Sequence, residues 1–252
     1  MLSQLRPDSV KNTTKSIRSV DPPLDCSQPS RNPIAMASFQ ISIQTASITI
    51  SLLSCGGIAA LSLFDIPELA SQPASRSLPS IRWLSSRGSH IFPTACFLSS
   101  AGFVYLAINA LPEGRGAAQI LSLASNGSKI HGYLAAAALN LAIAPFTAIV
   151  MVPNNFRLIQ MNEDKGGARS EKSAREGNFK AGQRSADDSV DGKDDVNQFT
   201  DLTGPQAKTK SDSIDKEDRE VQEALRKFGR QNAVRAILTG LGGIVGTAAA
   251  LS

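Results

Sequence analysis

The sequence predicts an all-α fold: a four-helix transmembrane bundle with a disordered N-terminal tail and a long charged loop between helices three and four. Two observations carry this. Residues Phe39–Phe64, His90–Pro112 and Ile130–Asn155 contain no Asp, Glu, Lys or Arg, and each run is at least 23 residues long. Roughly 20 apolar residues suffice to cross a bilayer. A fourth apolar run, AVRAILTGLGGIVGTAAALS, has a single arginine near its start. The charged residues concentrate instead between Glu163 and Lys216.

The elements follow in order. Residues 1–38 are polar and rich in Pro and Ser and are expected to be disordered. Met36 precedes the first span, so an alternative start of translation is expected there. The membrane domain covers 39–252, with spans at about 39–64, 90–111, 130–153 and 233–252. A soluble bundle would show polar side chains at helical spacing on its solvent face. Apart from His90, His131 and Arg235 near their ends, these runs offer only Ser, Thr, Gly, Gln and Asn besides their apolar residues, which suits close helix packing in lipid. The segment 162–215 has too few large apolar residues to bury and is expected to be a disordered loop. Its charges nearly balance, which argues against nucleic-acid binding. SIDKEDREVQEALRKF then reads as a short surface helix, with Val221, Leu225 and Phe228 on one face. Cys26, Cys55 and Cys96 have no metal spacing, so no metal site and no disulfide framework is expected.

Four spans put both termini on one side. The loops after spans one and three, extended to Arg235, hold 19 of the 26 Lys and Arg residues. Positive-inside bias therefore assigns both loops to the cytoplasm and both termini to the lumen. Asn126-Gly-Ser would then be lumenal. The expected location is the endoplasmic reticulum or a related endomembrane.

This topology gathers polar residues at the cytoplasmic end. Asp65 and Glu68 follow span one, His90 opens span two, Asn154, Asn155 and Arg157 end span three, and Asn232 and Arg235 begin span four. His131 opens span three, about 35 Å of helix from Asn154, and cannot share their site. An isolated arginine here reads as snorkelling to lipid phosphates and an isolated asparagine as a helix cap. Convergence from four spans favours a site.

The motif PFTxxxMxPxNxxL, Pro145–Leu158, resembles the third-helix signature of the DUF1772, or anthrone oxygenase-like, family of fungal integral membrane proteins. SCGGIAALSLFDIPEL resembles that family's first helix, and WLSSRGSHIFP its Trp, Gly and Pro at the second. FGRQNAVRAIL resembles its W-x-x-x-N-x-x-R entry to the fourth, with Phe228 in place of Trp. Asn154 replaces the usual threonine before Asn155.

The resemblance implies a monooxygenase-type oxidoreductase of secondary metabolite biosynthesis, converting a polyketide-derived anthrone to the anthraquinone with O₂ and no cofactor. It implies association with polyketide biosynthetic enzymes. The expected catalytic residues are His90 as base with Arg157 and Arg235 as oxyanion donors; Asn154, Asn155, Asn232 and Asp65 would bind substrate. Asp65 is the alternative base, and an idle interfacial histidine is the alternative reading of His90. Pro145 is expected to kink span three and free the Leu141 carbonyl. The competing functions are a non-enzymatic membrane scaffold and a small transporter. The transporter is disfavoured because no span carries Asp, Glu or Lys near its middle.

Overall fold

The computed structural model describes residues 33–112, 120, 127–177, 179–193 and 195–252. Four helices are long and apolar enough to cross a membrane: Ile34–Ala70, Ala74–Asn109, Ser128–Asp164 and Asp215–Leu251. They form a closed ring. Each packs against its neighbours in the chain, and the fourth closes onto the first. Residues 1–32 of the expected tail, and Asn126, lie outside the described residues, while residues 34–38 already belong to the first helix.

Each helix has 36 or 37 residues, about 55 Å at 1.5 Å per residue. A hydrocarbon core is only about 30 Å thick. The excess projects on the side of the charged loop, and the outward-facing residues mark where lipid ends. Phe64 is 70% exposed and is followed by Asp65; Val150 is followed two turns later by exposed Arg157; Arg230 precedes exposed Val234 and Ile237. These transitions lie near one height, because Gly229 of the fourth helix packs on Ile66 of the first and Gln231 bonds to the Val150 carbonyl of the third. Within the apolar zone, short polar side chains join the helices. The Ser51 hydroxyl lies 2.9 Å from Asn140 Oδ1 and 2.8 Å from the Thr239 carbonyl. Ser99 donates to the Ser47 carbonyl and Ser100 to that of Ala137. With no water to compete, such bonds and close small-residue contacts hold a membrane bundle together.

The expected surface helix before span four is corrected. Asp215–Leu251 is one continuous helix. Val221, Leu225 and Phe228 face inward, onto Ile66, Leu69, Leu78, Ile81, Met151 and Leu158. The other three helices also extend beyond the membrane, so the apolar stripe is buried by protein rather than by lipid.

Three prolines shape the first and third helices. In the third helix, regular α-helix stops at Leu141 and resumes over Ile143–Phe146. The break fits Pro145, which has no N–H to offer the Leu141 carbonyl. A π-turn then covers Thr147–Met151, with the Val152 amide bonded to the Thr147 carbonyl and Pro153 next. The first helix repeats the device: a π-turn over Leu61–Asp65, the Ile66 amide on the Leu61 carbonyl, then Pro67. In both, the residue before the proline makes the wide-turn bond, which gives the pyrrolidine ring room. Single π-turns of this kind are frequent at functional sites.

The segment between the third and fourth helices is also corrected: it is folded. Short helices cover Glu171–Glu176 and Ala186–Asp191, each capped by a serine, Ser170 and Ser185. Charge pairing replaces the missing apolar core. Arg184 bridges Glu163 at 3.1 Å and Asp195 at 3.1 Å, and Arg169 lies 3.6 Å from Asp195. The four side chains are at most 7% exposed. The segment docks on the second helix. Arg82 donates to the Ser189 carbonyl at 2.7 Å, Trp83 Nε1 to the Thr203 carbonyl at 2.9 Å, and Arg87 to the Gln198 carbonyl at 3.1 Å.

Topology is testable directly. In a background lacking the native cysteines, Ser211→Cys should react with a membrane-impermeant maleimide added to sealed microsomes, and Ser252→Cys only after permeabilisation. The reverse pattern would place the folded segment in the lumen.

Candidate functional site

The fourth helix buries an arginine just inside the lipid boundary. Arg235 is 8% exposed. Its Nη1 donates to Asn232 Oδ1 at 2.9 Å, and Asn232, fully buried, donates in turn to the Phe228 carbonyl one turn back. The guanidinium carbon stands 6.0 Å from the centre of the Phe92 ring. That ring lies against Gly57 of the first helix, where an added Cβ would come within 3.2 Å of it. Among the described residues Arg235 forms no salt bridge. Its Nε is buried without a hydrogen-bond partner.

Two more unpartnered polar atoms belong to this level. Gln231 donates through Nε2 to the Val150 carbonyl at 2.9 Å, inside the third helix's π-turn, while its Oε1 has no partner. Gly242 packs against Asn140. Two antiparallel helices matched at 231 with 150 and at 242 with 140 put Thr147 at the height of Arg235. The Thr147 hydroxyl is likewise buried and unpartnered. Buried polar groups without partners are rare in proteins, and several at one level of a bundle mark a candidate site. An ionised side chain at membrane depth is a functional candidate by default. The Arg235 guanidinium beside the Phe92 face suits a flat anionic group, and Gln231 and Thr147 lie at neighbouring heights on the fourth and third helices.

The expected site residues divide. Arg235 and Asn232 are in contact. Asn154, 5% exposed, donates to the Ala224 carbonyl at 3.0 Å and ties the third helix to the fourth. Asn155 has a buried, unpartnered Oδ1. Arg157 is 56% exposed and stands 3.8 Å from Glu220. It lines an open polar groove of about 490 Å³ with Pro153, Glu223 and Arg230. Asp65 is exposed and lines a separate groove with Glu68, Trp83 and Leu84. His90 packs at a tilt against Phe199 of the charged segment, ring centres 4.5 Å apart, with Nε2 buried and unpartnered. Two residues along a helix turn through about 200°, so His90 and Phe92 face opposite ways and His90 is not beside Arg235.

Sequence reasoning missed Phe92, Thr147 and Gln231. The signal for Thr147 was present, since it falls between two prolines of one span, where backbone irregularity was to be expected. Among the described residues no group of three His, Cys, Asp or Glu side chains is placed to hold a metal ion.

No curated protein and no solved structure matches the chain. One family model does, over the second helix from Arg82, the third helix and the charged segment as far as Arg184: residues 82–184 are similar to the family described as anthrone oxygenase.

Proposed function

We propose that the protein is a membrane-bound anthrone oxygenase that uses Arg235 to stabilise the ionised form of a flat aromatic substrate. The observation that carries this reading is a buried guanidinium with an unpartnered Nε, next to an aromatic ring and, among the described residues, without a carboxylate. It is supported by the similarity of residues 82–184 to the anthrone oxygenase family.

The chemistry asks little of the protein. An anthrone that loses a proton from its methylene carbon becomes an enolate, with charge on the carbonyl oxygen. Donors preorganised in a dry site stabilise such an oxyanion strongly. The enolate carbon gives its electrons to O₂ and forms a C–O bond to a peroxide. The O–O bond then breaks as the remaining methylene proton leaves, yielding the quinone carbonyl and water. One anthrone and one O₂ become one anthraquinone and one H₂O, so atoms and electrons balance. In this scheme the first proton passes to water at the lipid boundary and His90 is not required as a base.

Microsomes carrying the chain should speed O₂-dependent conversion of an emodin-type anthrone above the rate in microsomes lacking it, with equimolar O₂ uptake. Equal rates in the two preparations would reject the reading.

A further inference from the structure

We propose that the groove between the first and fourth helices binds the phosphate headgroup of an anionic glycerophospholipid from the cytoplasmic leaflet. The groove encloses about 540 Å³. Its floor is apolar, from Leu63, Ile66, Ala70 and Ala233, and its rim carries Arg226 and Arg230.

Both arginines are exposed, and among the described residues neither is in a salt bridge. They stand four residues apart on one helix face, with Lys227 beside them. Like charges at this spacing repel and destabilise a helix, a cost that a bound anion would reverse. Arg157 and Lys165 at the same end do meet acids, Glu220 and Glu217. The nearby acids line other grooves, Asp65 and Glu68 on the first helix and Glu223 on the far side of the two arginines, and the residues lining this groove include no acid.

Height identifies the occupant. Leu63 and Phe64 are 66% and 70% exposed on the first helix, and Val234 and Ile237 are exposed on the fourth immediately below Arg230. The arginines therefore lie in the headgroup plane, and the apolar floor leads from them toward the lipid-facing surface. A soluble phosphate would use the rim and leave the floor empty. A diacyl phospholipid fills both. Basic pockets between spanning helices on the cytoplasmic side are established binders of such headgroups. The site is independent of the oxygenase reading, since Arg235 lies on another face.

The test uses the full chain in nanodiscs of phosphatidylcholine doped with phosphatidic acid, followed by native mass spectrometry of the lipid retained. Phosphatidic acid should be enriched several-fold over its share of the bilayer. Arg226→Gln with Arg230→Gln should abolish the enrichment, whereas the double Arg→Lys variant should keep most of it and report that the fold is intact. Enrichment lost on adding inorganic phosphate would assign the rim to a soluble anion and overturn the lipid assignment. Enrichment that survives the double Gln variant, or none in the wild type, would overturn it as well.

Discussion

Replacing Arg235 by alanine should lower anthrone turnover by about a hundredfold, the loss expected when an oxyanion donor worth on the order of 3 kcal/mol is removed. The amount of inserted protein should change far less. Thr147, Gln231 and Phe92 would still shape the site, and the variant leaves no buried carboxylate behind, because Arg235 has no acidic partner among the described residues. Arg235→Lys should recover part of the rate: it restores charge without the planar fork. Arg157→Ala provides the contrast. Its pairing with Glu220 is half exposed at 3.8 Å, and such pairs contribute about 0–1 kcal/mol, so turnover should stay within a few-fold of wild type. His90→Ala should also be mild, since that ring packs on Phe199 and faces away from Phe92. Full activity in Arg235→Ala, or loss of activity in Arg157→Ala alone, would move the site to the open polar groove.

The bundle was legible because lipid imposes a one-dimensional rule. A spanning segment must be long and free of charge, and both properties can be counted along the chain. The true helix ends were not legible, since beyond Phe64 and Arg230 the helices continue in water on ordinary protein packing, as Val221, Leu225 and Phe228 show. The charged segment looked disordered because it has almost no apolar core. Its order comes from Glu163, Arg184, Asp195 and Arg169, brought together across the fold, and from a template in Arg82, Trp83 and Arg87 of the second helix. Composition registers how many charges are present and not whether they meet. Within the site, Arg235 and Asn232 stood out as polar residues at the edge of a span. His90 shared their depth, yet depth does not fix direction around a helix.

Arg184→Ala should release the charged segment from the bundle. The substitution leaves Glu163 and Asp195, 3% and 0% exposed, without their shared cation. Removing one partner of a buried pair typically costs about 3–5 kcal/mol, which corresponds to an opening equilibrium shifted by two orders of magnitude or more. Trypsin should then cut at Lys180 and Lys193 rapidly, where the wild type resists. Adding Glu163→Gln to Arg184→Ala should recover part of the resistance, because one uncompensated charge is gone. Arg175→Ala is the internal comparison. Its pair with Glu171 is exposed on both sides and contributes about 0.3–0.5 kcal/mol, so cleavage should barely change. Acid should act in the same direction as Arg184→Ala. Burial by itself would raise the Asp195 carboxyl, but the Ser173 hydroxyl, Arg169 and Arg184 together hold it below the usual carboxylate range. A carboxylate depressed in the folded state contributes stability that is fully present above its unfolded value, near 4, and is lost as pH falls through the folded value. Docking should therefore persist from neutrality to about pH 4 and fail only below it. An acid-stable protease active across that range would report the change. A segment already released at pH 6, or equally resistant with and without Arg184, would show that the buried charges do not hold it.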